Sequence, residues 1–214
     1  MKLAILGATG ATGRALVEQA LEAGHEVVAL ARRADAIAPR AHLAVVSGSI
    51  ADDKALDRVI AGSDAVLSAL GGRPWRRRAS VCATATQHVL PLMARHGVRR
   101  IVAISTFGAG DTRPHVGWLA RHLLFGLVLR SEVADKEAME DALARSGLDW
   151  TVVRVGLLTD EPPSGACRAA DDESIRGMGK VARADVAAFM LQQLDSGAWM
   201  RRRPVLMGPM RAER

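Results

Sequence analysis

The sequence contains no tyrosine and only two cysteines, and aromatic residues make up 3% of its 214 positions. Cys82 and Cys167 do not form a C-x-x-C pair, so we expect reduced thiols in a cytoplasmic protein and no structural metal. Single-stranded nucleic acids bind partly by stacking on aromatic rings, so this composition argues against nucleic acid as a partner. No apolar run reaches the roughly 18 residues of a membrane span, so we expect no membrane-spanning segment.

What the chain does have is 49% hydrophobic residues and a net charge of +6. This content is enough for a substantial core, and we predict a single domain over 1–214. Because the first apolar run begins at Lys2, we expect no signal peptide. Much of the basic excess lies in two arginine runs, 76–78 and 201–203, which we interpret as solvated surface.

The most informative segment is 2–14, where a strand-like apolar run passes through a G-x-x-G-x-x-G pattern into a helical pattern. The first glycine permits a tight turn, the second lets backbone N–H groups approach a pyrophosphate, and the third lets helix and strand pack closely. The helix N-terminus then faces the anion. An alternative is a glycine-rich turn in another kind of α/β protein. We predict a dinucleotide-binding turn whose cofactor-binding residues are Gly7, Thr9, Gly10, Ala11, Thr12, Gly13 and Arg14.

Apolar strand-like runs alternate with helical patterns along the chain, which is typical of βαβ units. Strands are predicted at 2–6, 26–31, 43–46, 65–69, 100–104, 150–154 and 204–207. Helices are predicted at 11–23, 53–61, 79–96, 133–145 and 183–194, with C-terminal caps at Gly24, Gly62, Gly97 and Gly147. We therefore predict an α/β fold with a Rossmann-like doubly wound parallel sheet. The segments 108–130 and 156–180 fit the alternation poorly and follow strands, so we predict that they are substrate loops.

The second predicted strand ends in Ala31, Arg32 and Arg33. An NAD site typically has an acidic residue about 20 residues beyond the glycines, which accepts a hydrogen bond from the ribose 2′-hydroxyl. Arginine instead offers charged donors to a 2′-phosphate, and Arg14 on the first helix turn can approach the same group. We predict that NADP(H) is preferred over NAD(H). The alternative is that Arg32 and Arg33 are ordinary loop charges, with Asp35 close by.

Further motifs follow the glycine turn: Leu70-Gly71-Gly72, Ile104-Ser105-Thr106 and the run from Ser146 to Arg154. Together these motifs resemble the atypical short-chain dehydrogenase/reductases, in particular the NADPH-dependent biliverdin-IXβ reductase and flavin reductase type. The likeness extends through 182–187 and so covers nearly the whole chain. The resemblance implies a Rossmann fold, further cofactor contacts from Ser49, Ile50, Leu70, Gly71, Gly72, Ser105 and Thr106, and catalytic roles for Thr106, Lys136 and Ser105.

The missing tyrosine is a departure from that resemblance. Family members that act on alcohols typically use a Tyr-x-x-x-Lys pair, and with Lys136 at the lysine position Glu132 stands where the tyrosine would be. A glutamate donates a proton only if burial raises its pKa. We interpret Glu132 as a structural residue that pairs with Lys136 one helical turn away, and Lys136 as a residue that touches cofactor or substrate.

Without a phenol, the chemistry favours acceptors that need hydride but little proton help, such as flavins, quinones and conjugated tetrapyrroles. The most apolar stretch, 116–130, is interpreted as a helix packed on the sheet, a lid over a planar substrate, or a membrane-surface contact. His115 and His122 lack a fixed metal-ligand spacing, so we predict no metal. The candidate residues of the substrate loop are Arg113, His115, Trp118 and His122.

These observations predict an NADPH-dependent oxidoreductase that transfers hydride to a bulky, conjugated small-molecule acceptor. One alternative is a redox-sensing or regulatory protein that binds NADP(H) without turning it over. Another is a non-redox isomerase or dehydratase on the same fold. The pattern makes no prediction for the oligomeric state.

Overall fold

The computed structural model of the protein describes residues 1–71, 80–115, 130–171 and 179–208. The strands of these ranges are β1 (Lys2–Leu6), β2 (Glu26–Ala31), β3 (Leu43–Ser47), β4 (Ala65–Ser68), β5 (Arg100–Thr106), β6 (Asp149–Val155), β7 (Leu157–Thr159), β8 (Arg168–Ala170), β9 (Lys180–Ala182) and β10 (Val205–Met207). The helices are α1 (Ala11–Glu22), α2 (Asp53–Ile60), α3 (Val81–His96), α4 (Arg130–Arg145) and α5 (Arg183–Gln192).

The central sheet of the described ranges has eight strands in the order β3-β2-β1-β4-β5-β6-β10-β8. All neighbouring pairs are parallel except β10 and β8, which are antiparallel. The strand order reverses beside β1, where Leu6 is in register with Leu30 of β2 on one side and Ser68 of β4 on the other. An order that begins 3-2-1-4-5-6 is that of a doubly wound Rossmann sheet, so the predicted fold class is confirmed. Ligands bind such sheets at the carboxyl ends of the strands, next to this reversal.

Both faces of the sheet are covered by helices, because parallel strands that are apolar on both sides must bury both sides. One core cluster joins β1 and β2 to α1 and α5, with Leu16 and Met190 fully buried in it. The other joins the opposite face to α2, α3 and α4, with Leu56, Met93 and Leu143 fully buried. Each helix connecting two parallel strands therefore starts at the carboxyl edge of the sheet and runs back to the amino edge.

Four of the helices, α1 to α4, end one or two residues before a glycine that the sequence pattern predicts as a C-terminal cap. Gly24, Gly62, Gly97 and Gly147 all have positive φ angles, between 69° and 79°, which side chains other than glycine rarely adopt. Pro91 does not break α3, which continues to His96. The strands β7 and β8 lie inside the predicted loop 156–180, and β9 begins at its last residue. All three were missed, because three-residue strands are too short to show a period of two.

A buried arginine ties the amino edge of the sheet to the end of α5. Arg100, at the start of β5, donates hydrogen bonds to the carbonyl oxygens of Gln193, Asp149 and Ile101 and to Oγ1 of Thr151, at distances of 2.6 to 3.3 Å. Burial lowers the pKa of this guanidinium. Its donors are nonetheless satisfied by backbone and hydroxyl oxygens, so the charge is well solvated by the fold.

Of the two arginine runs, the described one, 201–203, is only partly solvated surface. Arg203 packs over the ring of Trp150 at 5.1 Å and lies 3.1 Å from a carboxylate oxygen of Glu140, so the prediction is wrong for this residue. Arg201 and Arg202 are exposed, as expected, whereas the run 76–78 lies outside the described residues. Among the helices of the described ranges, none is long and apolar enough to cross a membrane.

Candidate functional site

The glycine turn between β1 and α1 is closed by direct backbone contact. Gly7 has φ of 82°, and a Cβ atom there would lie 2.7 Å from the backbone of Ala69. A Cβ atom on Gly13 would overlap the carbonyl oxygen of Gly7, and the N–H of Gly10 donates to that same oxygen at 3.0 Å. Gly7 therefore packs against the residues that follow β4, and the first helix turn packs against Gly7, with no room for side chains at positions 7 and 13.

The N-terminus of α1 is open to an anion. Its cap residue, Gly10, provides no side-chain hydrogen bond, and the first turn contains no acidic residue. The first N–H groups of a helix have no partner within the helix and carry partial positive charge, so they bind phosphate groups well. The residues present here fit a dinucleotide pyrophosphate.

The region predicted to hold the adenosine end of the cofactor has arginines just after β2 and in the first turn of α1. Arg32 and Arg33 are both exposed, and Arg33 forms an ion pair with Asp35 at 3.0 Å. Arg14 is held beside the glycine turn by a hydrogen bond from Nε to the carbonyl of Thr9, at 3.2 Å. Ser49 and Ile50 follow β3, where the Ser49 hydroxyl accepts a hydrogen bond from the backbone N–H of Ala51 at 3.1 Å.

The ends of β4 and β5 form the other half of the candidate site. Gly71 follows Leu70 and is exposed, and a Cβ atom there would meet nothing within 4 Å. Thr106 is half-buried at the last position of β5, and its hydroxyl donates only a long bond, 3.3 Å, to the carbonyl of Phe107. The hydroxyl of Ser105 is buried and has no hydrogen-bond partner in the described part of the chain. Two hydroxyl groups at this edge are therefore poorly engaged by the protein itself.

Lys136 of α4 lies beneath this edge. Its side chain is only 4% exposed, and Nζ donates hydrogen bonds to the carbonyl oxygens of Leu70 at 2.7 Å and Ile104 at 2.6 Å. The ammonium therefore joins the end of β4 to the end of β5. Lys136 therefore lies at the candidate site, where it contacts the backbone after β4 and the backbone near the end of β5.

Asp135 supplies a cap for α3 from a different helix. Its carboxylate accepts hydrogen bonds from the backbone N–H groups of Cys82 at 2.9 Å and Ala83 at 2.8 Å, whereas Ser80 at the helix start makes no capping bond. The Cys82 thiol contacts the carbonyl of Leu70 at 3.5 Å, and burial raises the pKa of this thiol. Such a thiol stays protonated and unreactive.

Glu132 lies one turn before Lys136 and is half-buried. Within the described residues no ion pair joins it to Lys136, whose Nζ is bonded to the two carbonyls instead, so the predicted pairing is wrong. Burial raises the pKa of Glu132, and the nearby charge of Asp135 acts in the same direction, whereas Lys136 acts against it. The condition that the sequence sets for a proton-donating glutamate is therefore met.

A second charged cluster fixes the segment that follows β5. Arg154, 2% exposed, donates from Nε and Nη2 to the carboxylate of Glu140 at 3.2 and 2.7 Å, and it also pairs with Asp111. The N–H of Gly110 donates to Glu137 of α4 at 2.8 Å. The turn at 110–115 is thus tied to β6 and α4, beside the candidate site.

The loop between β7 and β8 is held by Asp185 in the first turn of α5. The carboxylate accepts hydrogen bonds from the N–H and hydroxyl of Ser164, at 2.9 and 2.7 Å, and from the N–H of Gly165 at 3.1 Å. Although burial opposes ionisation, these bonds lower the pKa of Asp185. Among the described residues, no group of three His, Cys, Asp or Glu side chains is placed to hold a metal ion.

The remaining predicted site residues lie at the limits of the described ranges or beyond them. Arg113 is exposed on the 110–115 turn. Gly72, Trp118 and His122, together with the side chain of His115, lie outside the described residues. Sequence reasoning missed the roles of Asp135, Glu140, Arg154 and Asp185. Glu140 did have a signal in the sequence. Together with Lys136, it interrupts the apolar stripe of α4 that is formed by Val133, Met139 and Leu143.

Comparison with known proteins agrees with this geometry. A family model described as NAD(P)H-binding matches residues 7–197. The uncharacterized protein Rv2047c of Mycobacterium tuberculosis strain H37Rv is 30% identical over 159 residues, which is 74% of this chain. The match spans only 15% of the length of that mycobacterial relative.

Solved structures share the fold over the whole chain. ChuY, an anaerobillin reductase from Escherichia coli O157:H7, is 25% identical, with a TM-score of 0.83 and full coverage of both chains. A short-chain dehydrogenase/reductase from Veillonella parvula, solved in complex with NADP, is 17% identical, with a TM-score of 0.82 over 97% of this chain and 94% of its own. The second likeness shows the fold alone.

Proposed function

This chain belongs to the NAD(P)H-binding family, and from that premise we propose that it is a reductase that uses NADPH to reduce a bulky, conjugated small-molecule acceptor. The observation that carries the proposal is the uncapped N-terminus of α1 beside the strand reversal, closed by the contact between Gly7 and Gly13. This arrangement fits a pyrophosphate, and the residues that follow β4 and β5 would hold the nicotinamide end of the cofactor.

The preference for NADPH is supported by the arginines after β2. Arg32 is exposed immediately beyond the strand, where an NAD site would typically have an acidic residue. A guanidinium suits a 2′-phosphate because it donates charged hydrogen bonds in a fixed planar geometry. Arg14 lies on the neighbouring helix turn and adds positive charge to the same region.

The class of acceptor is supported by the absence of tyrosine from the sequence. When bound, the cofactor supplies a hydride, and the protein supplies orientation, exclusion of water and hydrogen bonds. Reduction of a simple ketone builds an alkoxide with a localised charge, which related enzymes protonate with the tyrosine that this chain lacks, whereas a conjugated acceptor spreads the added charge over a ring system. The relative ChuY is a reductase of anaerobillin, which agrees with a reductase role for this chain.

A cytoplasmic location is part of the proposal. Cys82 and Cys167 are both free thiols, and burial raises the pKa of Cys167 to about 11, mainly by desolvation, with the charge of Asp185 adding to the effect. Free thiols are typical of a reducing compartment.

The test is the loss of NADPH absorbance in the presence of oxidised flavin, a quinone or a linear tetrapyrrole, with aliphatic and aryl ketones measured alongside. We expect turnover with the conjugated acceptors and little with the ketones. Tight NADPH binding without turnover of any acceptor would instead favour a regulatory protein. Rapid turnover of simple ketones would contradict the proposed acceptor class.

A further inference from the structure

The position of α4 brings its first turn to the edge where the proposed reduction takes place. β5 and β6 are parallel, so the helix between them starts at the carboxyl edge and runs back toward the amino edge. Lys136 marks the level of the strand ends, because its Nζ contacts the carbonyl oxygens of Leu70 and Ile104. Glu132 lies on the same helix face, about 6 Å closer to the helix N-terminus. Glu132 is therefore nearer than Lys136 to the open side of the carboxyl edge.

The other carboxylates near this edge are engaged by the protein. Asp135 accepts two N–H groups of α3, Glu137 accepts the N–H of Gly110, and Glu140 is paired with Arg154. Asp111 is also paired with Arg154. By contrast, Glu132 makes no hydrogen bond or ion pair with any other residue of the described ranges. It is half-buried and free to interact with a bound molecule.

We propose that Glu132 is the proton donor of the reduction, in the place where related enzymes have a tyrosine. This inference rests on the proposed function. The carboxyl O–H bond breaks as a new N–H or O–H bond forms on the acceptor atom that becomes negative when the acceptor gains hydride. With bound NADPH as the hydride source, Glu132 would supply the proton, and its carboxylate would then regain a proton from water. The products are NADP⁺ and the acceptor with two added hydrogens.

The surroundings of Glu132 suit this role. The charged groups acting on it are Asp135, which favours the protonated acid, and Lys136, which favours the carboxylate; burial is the largest effect and favours the acid. From α3, the thiol of Cys82 also lies at the carboxyl edge, where it donates a hydrogen bond to the carbonyl oxygen of Leu70. The described ends of β4 and β5 contribute hydroxyl and backbone groups, and no charged side chain. A group that works as an acid loses activity as the pH rises through its pKa.

The experiment compares the unmutated protein with Glu132→Gln and Glu132→Asp, with Asp141→Asn as an exposed control on the same helix. For Glu132→Gln we expect kcat to fall about a hundredfold, the loss of the decline at high pH, and an unchanged Kd for NADPH. Glu132→Asp keeps an ionisable acid and should recover part of the activity. Asp141→Asn should behave as the unmutated protein.

Thermal unfolding without cofactor gives an independent readout. A carboxyl group whose pKa is raised in the folded state contributes stability at low pH that is lost as the pH rises through that pKa. The unmutated protein and Glu132→Gln should therefore have the same melting temperature at about pH 4, and the variant should have the higher melting temperature at about pH 8.

Unchanged kcat and an unchanged pH profile in Glu132→Gln would overturn the assignment of the proton donor while leaving the reductase proposal intact. A fall in kcat accompanied by a proportionate loss of NADPH affinity would also overturn it, because that result indicates a binding role. An unmutated protein that binds NADPH but reduces no acceptor would remove the proposed function, and this inference with it.

Discussion

Arg33 is bound to Asp35 through two hydrogen bonds, from Nε to Oδ1 at 3.0 Å and from Nη2 to Oδ2 at 3.3 Å. Both side chains are about three-quarters exposed, so the pair is weak, yet it occupies the guanidinium of Arg33. Arg32, the neighbouring residue, forms no ion pair within the described residues. The structure therefore separates the two arginines that the sequence treats together.

The first prediction is that Arg32→Ala weakens NADPH binding about tenfold and leaves NADH binding unchanged. A hydrogen bond to a charged group contributes roughly 1.5–3 kcal/mol, and about 1.4 kcal/mol corresponds to a factor of ten. Calorimetric titration with both cofactors measures the effect, and Arg40→Ala, another exposed arginine, is the control. Equal affinities for NADPH and NADH in the unmutated protein would contradict the preference.

The second prediction concerns the contact between Gly13 and Gly7. Gly13→Ala places a methyl group against the carbonyl oxygen of Gly7, where the neighbouring atoms are backbone and cannot rotate away. We expect a loss of about 1–3 kcal/mol in the free energy of unfolding and strongly weakened binding of both cofactors. Gly197→Ala is the matched control, because a Cβ atom there meets nothing within 4 Å. Thermal melting and cofactor titration of the two variants provide the comparison; equal behaviour would mean that the turn relaxes easily.

The third prediction separates Lys136 from Thr106. Lys136→Met removes two hydrogen bonds to buried carbonyl oxygens, so we expect it to lower both the melting temperature and the turnover number. Thr106→Val removes only a long bond to Phe107, and we expect it to lower turnover with little change in melting temperature. Differential scanning calorimetry and steady-state kinetics test both variants. A Lys136→Met protein as stable as the unmutated one would show that the two carbonyls find other partners.

The fourth prediction follows from the lowered pKa of Asp185. A carboxylate whose pKa is depressed on folding contributes stability at pH values above its unfolded pKa, and this contribution is lost as the pH falls through the folded pKa. The melting temperature of Asp185→Asn should therefore be lower at neutral pH and should decline less steeply below about pH 4. Asp195→Asn, which changes an exposed carboxylate, is the control. Parallel pH profiles for Asp185→Asn and the unmutated protein would be the contrary result.

The fold was predictable because its signals are local. The glycines at 24, 62, 97 and 147 mark helix ends by a backbone requirement that no neighbour can change. The strand reversal beside β1 follows from the order of the βαβ units and their fixed handedness. Short strands such as β8 were not predictable, since three residues pair only because β10 provides an edge for them.

The candidate site was predictable in its backbone and not in its side-chain partners. The spacing of Gly7, Gly10 and Gly13 predicts a tight turn from strand to helix, and the structure has this turn. Lys136 was expected at the site, but its bonds to Leu70 and Ile104 join residues 66 and 32 positions away in the chain. Asp185 reaches Ser164 in the same way, across a loop. No sequence period encodes such distances, so partners of this kind emerge only from the packed structure.

Arg100 and Asp185 lie at opposite edges of the sheet and respond to acid in opposite ways. The guanidinium of Arg100 keeps its charge at every pH a protein meets, so the amino edge holds its hydrogen bonds with Gln193 and Thr151 in strong acid. At the carboxyl edge, the carboxylate of Asp185 accepts the hydrogen bonds of Ser164 and Gly165, and it loses this role when it is protonated. In acid, the loop at Ser164 and Gly165 therefore loses its attachment to α5, whereas the hydrogen bonds that Arg100 donates to the end of the same helix persist.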